Sequence, residues 1–505
     1  MKKLYLIPAL ALFALSFLAI SPGRASAQPG AISYRVDLSR PDSGRVAVTL
    51  EVEASSQPLV LEIRDSYGDG LAADLASHIV DEAASDASGR ALPLHRDGGT
   101  WSIEGTGRIT FRYQVDLSGY RAGTEYLASL AGEENPWPFF PMLDADLAYL
   151  PGYAIFIHPT PAEGYQPQVK LVLPPGWQRA LPWSDQPQNL EELLYNPLYA
   201  GELTLYDQDS LLVALPSTSA AASGGGLPEY AQKAQALLAE TRNLLGGPGL
   251  PEGEKLLVAL LFRGEGDRVE EIYYPSAPFS SCVALPAPAR NDILSDSTIE
   301  ATERGMAGLL LAKEIAVEPE ASWLRDGSAW YFQDLVPYRA GIWGAGTFWD
   351  RFNDHYDVYR EARGRFAGSL AQPGAPASGD ADAAAMLTCG GASACASLDS
   401  ELNTLEPFAG DLASFLRDLA GIKPGETPLT NADIRSILQN MTGRDWSSYF
   451  RDYIEGTQEI PASSFSSLNV AQPEETTSPI ETPRGSTSTS GWILIAVAVI
   501  IVLLI

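Results

Sequence analysis

The hydrophobic period of this chain changes along its length, and that change most limits its fold. From Ile32 to about Pro216, apolar and polar residues alternate. The pattern is clearest in "YRVDL" at Tyr34, "VAVTLEV" at Val46, "LVLEI" at Leu59, "ITFRYQVDL" at Ile109 and "QVKLVLPPGW" at Gln168. Successive strand residues face opposite sides of a sheet, so period two bounded by Gly, Pro, Ser and Asp marks half-buried strands. Several such runs predict an all-β sandwich over residues 28–218. The small-residue run "SAAASGGG" at Ser219 reads as a hinge. After it the period becomes helical, with helices expected over Pro228–Leu245 and from Thr347, Leu412 and Asn431. "KLLVALLF" at Lys255 reads as one buried strand among them. Ser297 and Glu300 have capping-box spacing, which places a helix start between them. The second domain is assigned to residues 225–461.

The length of 505 residues is a prior for about three domains. The net charge of -29, with no cluster of Lys and Arg, excludes a nucleic-acid partner, because a phosphate-binding face needs concentrated positive charge.

Both ends carry apolar runs. Lys2 and Lys3 precede an apolar stretch and Ala25-Ser26-Ala27, the layout of a signal peptide over residues 1–27. Residues 462–490 form a Ser/Thr/Pro-rich linker. Residues 491–505 include "WILIAVAVIIVLLI", expected to be a transmembrane or anchor segment. Together these features predict an exported protein anchored at the cell surface. Cys282, Cys389 and Cys395 are the cysteines, and an exported chain permits pairing of Cys389 with Cys395.

The stretch "LLAKEIAVEPEASWLRDGSAWYF", Leu310 to Phe332, has the layout of a zinc peptidase site without its histidines. In H-E-x-x-H, two histidines one helical turn apart share a face and hold one zinc, and the glutamate acts as general base. Here Lys313 and Val317 stand in the histidine places, Glu314 in the base position and Asp326 in that of the third ligand. Valine has no donor atom, and a protonated amine has no free lone pair.

"WLRDGSAWYFQDLVPYRAGI" resembles the W-x-x-E-G-x-A-x-Y-Y stretch of glycyl aminopeptidase family metallopeptidases. Four further stretches agree with that family in order. They are "VKLVLPPGW", "LLYNPLYAGEL", "GGASACASLDSELN" and "LTNADIRSILQNMTGRDWSSYFRDYIEGTQEIP". The resemblance spans roughly residues 30 to 461. It implies a β-sandwich followed by a mostly α-helical, thermolysin-like (α+β) peptidase-type domain of the gluzincin kind, here followed by a stalk and a C-terminal apolar helix. It also implies zinc-dependent cleavage of N-terminal residues. The sequence departs from the family at Lys313, Val317 and Asp326, keeps Glu314, and has a short link between the two motifs. No cofactor is expected, zinc belonging to the resembling family.

Lys313 is expected to take over part of the metal's role, with its amine within about 4 Å of the Glu314 or Asp326 carboxylate. Of the four histidines, His78, His95 and His158 fall in the β-region, and His355 in "RFNDHYDVYR" is expected to be exposed on a helix. The aromatic run "NPWPFFPM" at Asn135 reads as core or a domain contact. The whole predicts a membrane-anchored, glycyl-aminopeptidase-like pseudoenzyme that binds a peptide or protein ligand. Two alternatives stay open: an active zinc metallo-aminopeptidase with rearranged ligands, and a cell-surface structural or adhesion module.

Overall fold

The computed structural model describes residues 30–472, apart from 56, 64–74, 119–140, 163, 184, 219–224, 248–249, 251–253, 263–279, 288–292, 373–380, 407–409 and 423–427. The hinge at Ser219, most of the aromatic run at Asn135 and both terminal segments lie outside the described residues.

N-terminal β-sheets are followed by a helical region. The first sheet contains β1 (Gly30–Asp37), β2 (Arg45–Ala54), β4 (Ile79–Asp86), β7 (Gly107–Asp116) and β11 (Tyr165–Val172), in the order β11-β1-β2-β7-β4. The second contains β3 (Leu59–Glu62), β5 (Leu94–Asp97), β6 (Thr100–Ile103) and β10 (His158–Pro159), in the order β10-β3-β6-β5. Alternation decides what faces inward. Along β2 the residues Val46, Val48, Leu50 and Val52 are buried, and along β7 so are Ile109, Phe111, Tyr113 and Val115. These faces share one core with Leu61, Trp101 and Ile103 of the second sheet.

The third sheet, order β12-β13-β9-β8, joins β8 (Met142–Leu143), β9 (Leu147–Pro151), β12 (Gln178–Ala180) and β13 (Pro197–Gly201). The short helix α1 (Leu190–Tyr195) leads into β13, capped by the Asn189 side chain on the Glu192 amide. The fourth sheet runs β14 (Leu203–Gln208), β15 (Leu211–Pro216), β16 (Leu256–Phe262) and β17 (Cys282–Ala287), side by side in that order. Thus β14 and β15, which alternation groups with the N-terminal strands, pair with each other, and β15 pairs onward with "LLVALLF". β15 and β16 are parallel and need a crossover, which α2 (Gly226–Leu244) supplies. Sheets three and four meet through one apolar cluster in which Leu147, Tyr149 and Tyr199 join Leu257, Ala259 and Cys282. The Tyr199 hydroxyl donates across this seam to the Leu260 carbonyl at 2.8 Å.

The helical region is built on α3 (Asp296–Glu314), α4 (Ser322–Arg339), α5 (Ala345–Arg365), α6 (Gly391–Leu402), α7 (Leu412–Gly421) and α8 (Asn431–Thr442). Reciprocal capping boxes open α7 (Asp411 with Ser414) and α8 (Thr430 with Asp433). α3 starts earlier than the Ser297 spacing suggests, because Ser295 takes the Thr298 amide. α4 and α6 cross so closely that a Cβ on Gly327 would lie 2.4 Å from the Gly391 carbonyl carbon. The glycine of the W-x-x-E-G pattern is therefore fixed by a helix crossing. Phe465, Leu468 and Val470, grouped by composition with the linker, pack into this helical core.

Other expectations need correction. Among the described residues no helix is long and apolar enough to cross a membrane. The long helices are amphipathic. α3, for example, carries Asp296, Glu300, Glu303, Arg304, Lys313 and Glu314. The expected membrane anchoring therefore finds no spanning helix in its support among the described residues, and nothing described supports the exported cell-surface placement. Cys282, Cys389 and Cys395 are buried thiols, and the Cys389–Cys395 pairing that an exported chain would permit is not formed. His355 is partly buried, with Nδ1 3.0 Å from Asp334 Oδ2 and its ring edge-on to Trp330.

Candidate functional site

The last turn of α3 carries Lys313 and Glu314, and there the helix stops. Ile315 is extended, with φ -129 and ψ 105. Two local causes act together. Ile315 and Val317 are β-branched and favour extended backbone. Pro319 restricts the residue before it to the same region and opens a 3-10 turn over Pro319–Ala321. The extended segment is then captured by a neighbour. Leu429 N donates to Ala316 O at 3.0 Å, Glu318 N donates to Leu429 O at 2.9 Å, and Val317 forms a parallel bridge with Leu429. Positions 313 and 317 consequently share no helical face.

Lys313 turns toward the seam between sheets three and four. Its ammonium donates to Ser281 Oγ at 3.0 Å. Ser281 sits just before β17 and is 1% exposed. Its hydroxyl donates on to Glu254 Oε2 at 3.4 Å, and its amide donates to Asn196 Oδ1 at 2.7 Å. Asn196 Nδ2 donates to the carbonyl of Glu192 at 2.9 Å, which ties the seam back to α1. Gln188 holds both acids, its backbone amide on Glu192 Oε2 and its side-chain amide on Glu254 Oε1 at 3.0 Å.

Burial drives the electrostatics. Desolvation pulls the Lys313 amine below its ordinary value, while Glu254, Glu192 and then Glu314 pull it back up. Desolvation, reinforced by Glu254, pushes the Glu192 carboxyl up to about 7, while the Gln188 amide and Lys313 oppose it. The carboxylates acting most strongly on Lys313 are thus Glu254 and Glu192, ahead of its chain neighbour Glu314. Asp326, in the second turn of α4, is engaged by Arg325, whose Nε lies 2.8 Å from its Oδ1. Lys313 makes no ion pair with Glu314 or Asp326 among the described residues, and its hydrogen bond goes to Ser281.

Glu192, Glu254 and Ser281 were not legible as site residues. Glu192 lies one residue before the quoted match "LLYNPLYAGEL" begins, and nothing in its type or spacing reports burial. Glu254 and Ser281 precede apolar strands, where a polar residue ordinarily marks a strand's solvated end.

A zinc ion does not fit the residues present. Among the described residues no group of three or more His, Cys, Asp or Glu stands close enough to hold a metal. The chemistry agrees: Lys313 presents N–H donors rather than a lone pair, Val317 lies off the helix, and Asp326 is held by Arg325.

Residues 33–202 match the Peptidase M61 N-terminal domain, the glycyl aminopeptidase family. The sequence matches no curated protein. Among solved structures, the chain resembles an aminopeptidase N family protein from Idiomarina loihiensis with TM-score 0.69 and 16% identity, over 85% of this chain and 77% of that one. It also resembles an M1 zinc metallopeptidase from Deinococcus radiodurans, a mutant bound to a Tyr-Ser-Ala substrate. There the TM-score is 0.50 and the identity 14%, over 86% of this chain and 95% of that one. At these identities the likeness concerns the fold.

Proposed function

We propose that this chain, whose N-terminal domain is that of the glycyl aminopeptidase family, is a non-hydrolysing relative of the gluzincin peptidases that binds peptide or protein ligands in the cleft beside Lys313. On this reading the N-terminal sheets form the family's β-sandwich and the helical region its thermolysin-like half. One observation carries the proposal: α3 ends at Glu314, so the two histidine places no longer face one point in space. Glu314 is left as a general-base position without a metal-bound water to act on.

Peptide binding is supported by what remains. The fold is shared with a metallopeptidase solved with a tripeptide, and α4, which carries Asp326, packs closely on α6 at the Gly327–Gly391 crossing. A ligand here would meet Glu314 at the end of α3 and Asp326 near the start of α4.

The test is equilibrium binding of a random peptide library to the full chain, beside K313A and D326A. The proposal expects a retained peptide class that remains uncleaved, with binding weakened about tenfold or more in a cleft variant, the loss of one charged contact. Cleavage of the peptides, or binding identical in all three proteins, would overturn it.

A further inference from the structure

Glu303 lies in the middle of α3, wholly buried, and meets Thr241 of α2. Thr241 Oγ1 stands 2.6 Å from Glu303 Oε1 and 2.8 Å from the carbonyl oxygen of Leu237, one turn back on α2. A hydroxyl has one proton to give and two lone pairs that accept, and an ionised carboxylate only accepts. One hydroxyl proton does not serve two acceptors at such distances. A single arrangement satisfies both contacts: a protonated Glu303 donates to Thr241, and Thr241 donates on to Leu237. The second carboxyl oxygen, Oε2, finds no donor, although a buried carboxylate would need one. Among the described residues no cation acts on Glu303, although an ion buried this deeply would need a partner.

The surrounding charges favour the neutral form. Burial pushes the Glu303 carboxyl well above its ordinary value, and Glu240, next to Thr241 on α2, adds to this with like sign. Arg339 of α4 turns to Glu240, with its Nε 3.8 Å from Oε1. The other ionisable groups on the packed elements are engaged elsewhere. On α2, Tyr230 meets Thr302 at 2.7 Å, Lys233 pairs with Glu229, and Arg242 donates to Ser210. On α4, Asp334 meets His355 and Tyr331 donates to Asp399. On α3, Glu300 meets Arg351 and Arg304 donates to Gln333. β17, packed on the same helix, brings the thiol of Cys282.

We propose that Glu303 is a protonated acid in the folded chain and locks α2 onto α3 by donating to Thr241, so that the joint between these helices loosens as pH rises. Any opening that lets water reach Glu303 frees its proton, because in water the carboxyl ionises above its ordinary value of 4.5. Opening therefore costs most below that value. It becomes easier with rising pH, up to the point at which the buried acid itself lets go. α2 is the crossover between β15 and β16, and α3 ends in Lys313 and Glu314, so the lock acts on the helix that carries the candidate site. It operates whether or not that site binds peptide.

Hydrogen exchange of the full chain, read by mass spectrometry and corrected for intrinsic rates, gives the protection of α2 at about pH 5 and about pH 8. The lock predicts that this protection falls by up to about tenfold per pH unit across that window, while β2 and β7 stay unchanged. In E303Q the side-chain amide donates to Thr241 at any pH, so the fall disappears. Should E303Q fail to fold, E303M, which is apolar and of similar length, carries the same expectation. Equal protection of α2 at both pH values in the parent chain would overturn the proposal, as would a fall of the same size in the variant.

Discussion

Val317 pairs with Leu429 in a parallel bridge, while Lys313, four residues earlier, lies in the last turn of a helix that has already ended. Everything about the degenerate centre follows from that separation. Replacing the residue types alone does not rebuild a metal site, because the backbone between them no longer turns. The double variant K313H/V317H is therefore expected to bind zinc no better than the parent chain by calorimetry. A one-to-one zinc complex in that variant would show that the helix can extend and that only side chains were missing.

The contact between Gly327 and Gly391 gives a prediction about stability. A methyl group at position 327 would lie 2.4 Å from the Gly391 backbone, so the crossing must open. G327A is expected to lose about 1–3 kcal/mol, the usual cost of overpacking a core. Urea unfolding of the two proteins measures it. A variant as stable as the parent would mean that the crossing is loose.

The sheets and helices were legible because burial follows period. The inward residues of β2 and β7 and the starts of α7 and α8 came directly from alternation and helical spacing, and α5 begins two residues before the expected Thr347. The site was legible in part. Lys313, Glu314, Val317 and Asp326 stood out as a motif without its ligands, but their geometry did not. A chain break in a helix depends on what captures the freed backbone, and Leu429 is more than a hundred residues away in sequence. The partners of Lys313 come from α1, the edge of β16 and the edge of β17, a juxtaposition that only the seam creates. The predicted anchor came from apolarity at residues 491–505, which lie outside the described residues, and no helix among the described residues takes its place.

Glu300 allows a test of pH dependence. Burial pushes its carboxyl from 4.5 up to about 7, against the pull of His355 and Arg351. The folded chain then holds a proton that the unfolded chain releases earlier. The resulting stability is fully present below about 4.5 and is lost as pH rises through about 7. E300Q should flatten this part of the profile relative to the parent, by at most about 1.4 kcal/mol per pH unit. Urea midpoints for both proteins across that window decide it, and parallel profiles would count against the assignment.

The cysteines give a chemical check. Cys395 is wholly buried beside Ser328, and burial pushes its thiol up to about 12, so little thiolate is available to react at neutral pH. Native protein should resist alkylation at this position, and denatured, unreduced protein should expose three reactive thiols. Recovery of a Cys389–Cys395 disulfide by mass spectrometry would contradict the structure.

The most direct test of the central claim is metal content measured together with hydrolysis. Full-length chain, loaded with excess zinc and then desalted, should retain far less than one equivalent at this cleft and release no amino acid from N-terminally unblocked peptides. One tightly held zinc per chain, with peptide hydrolysis that disappears in E314Q, would contradict the account.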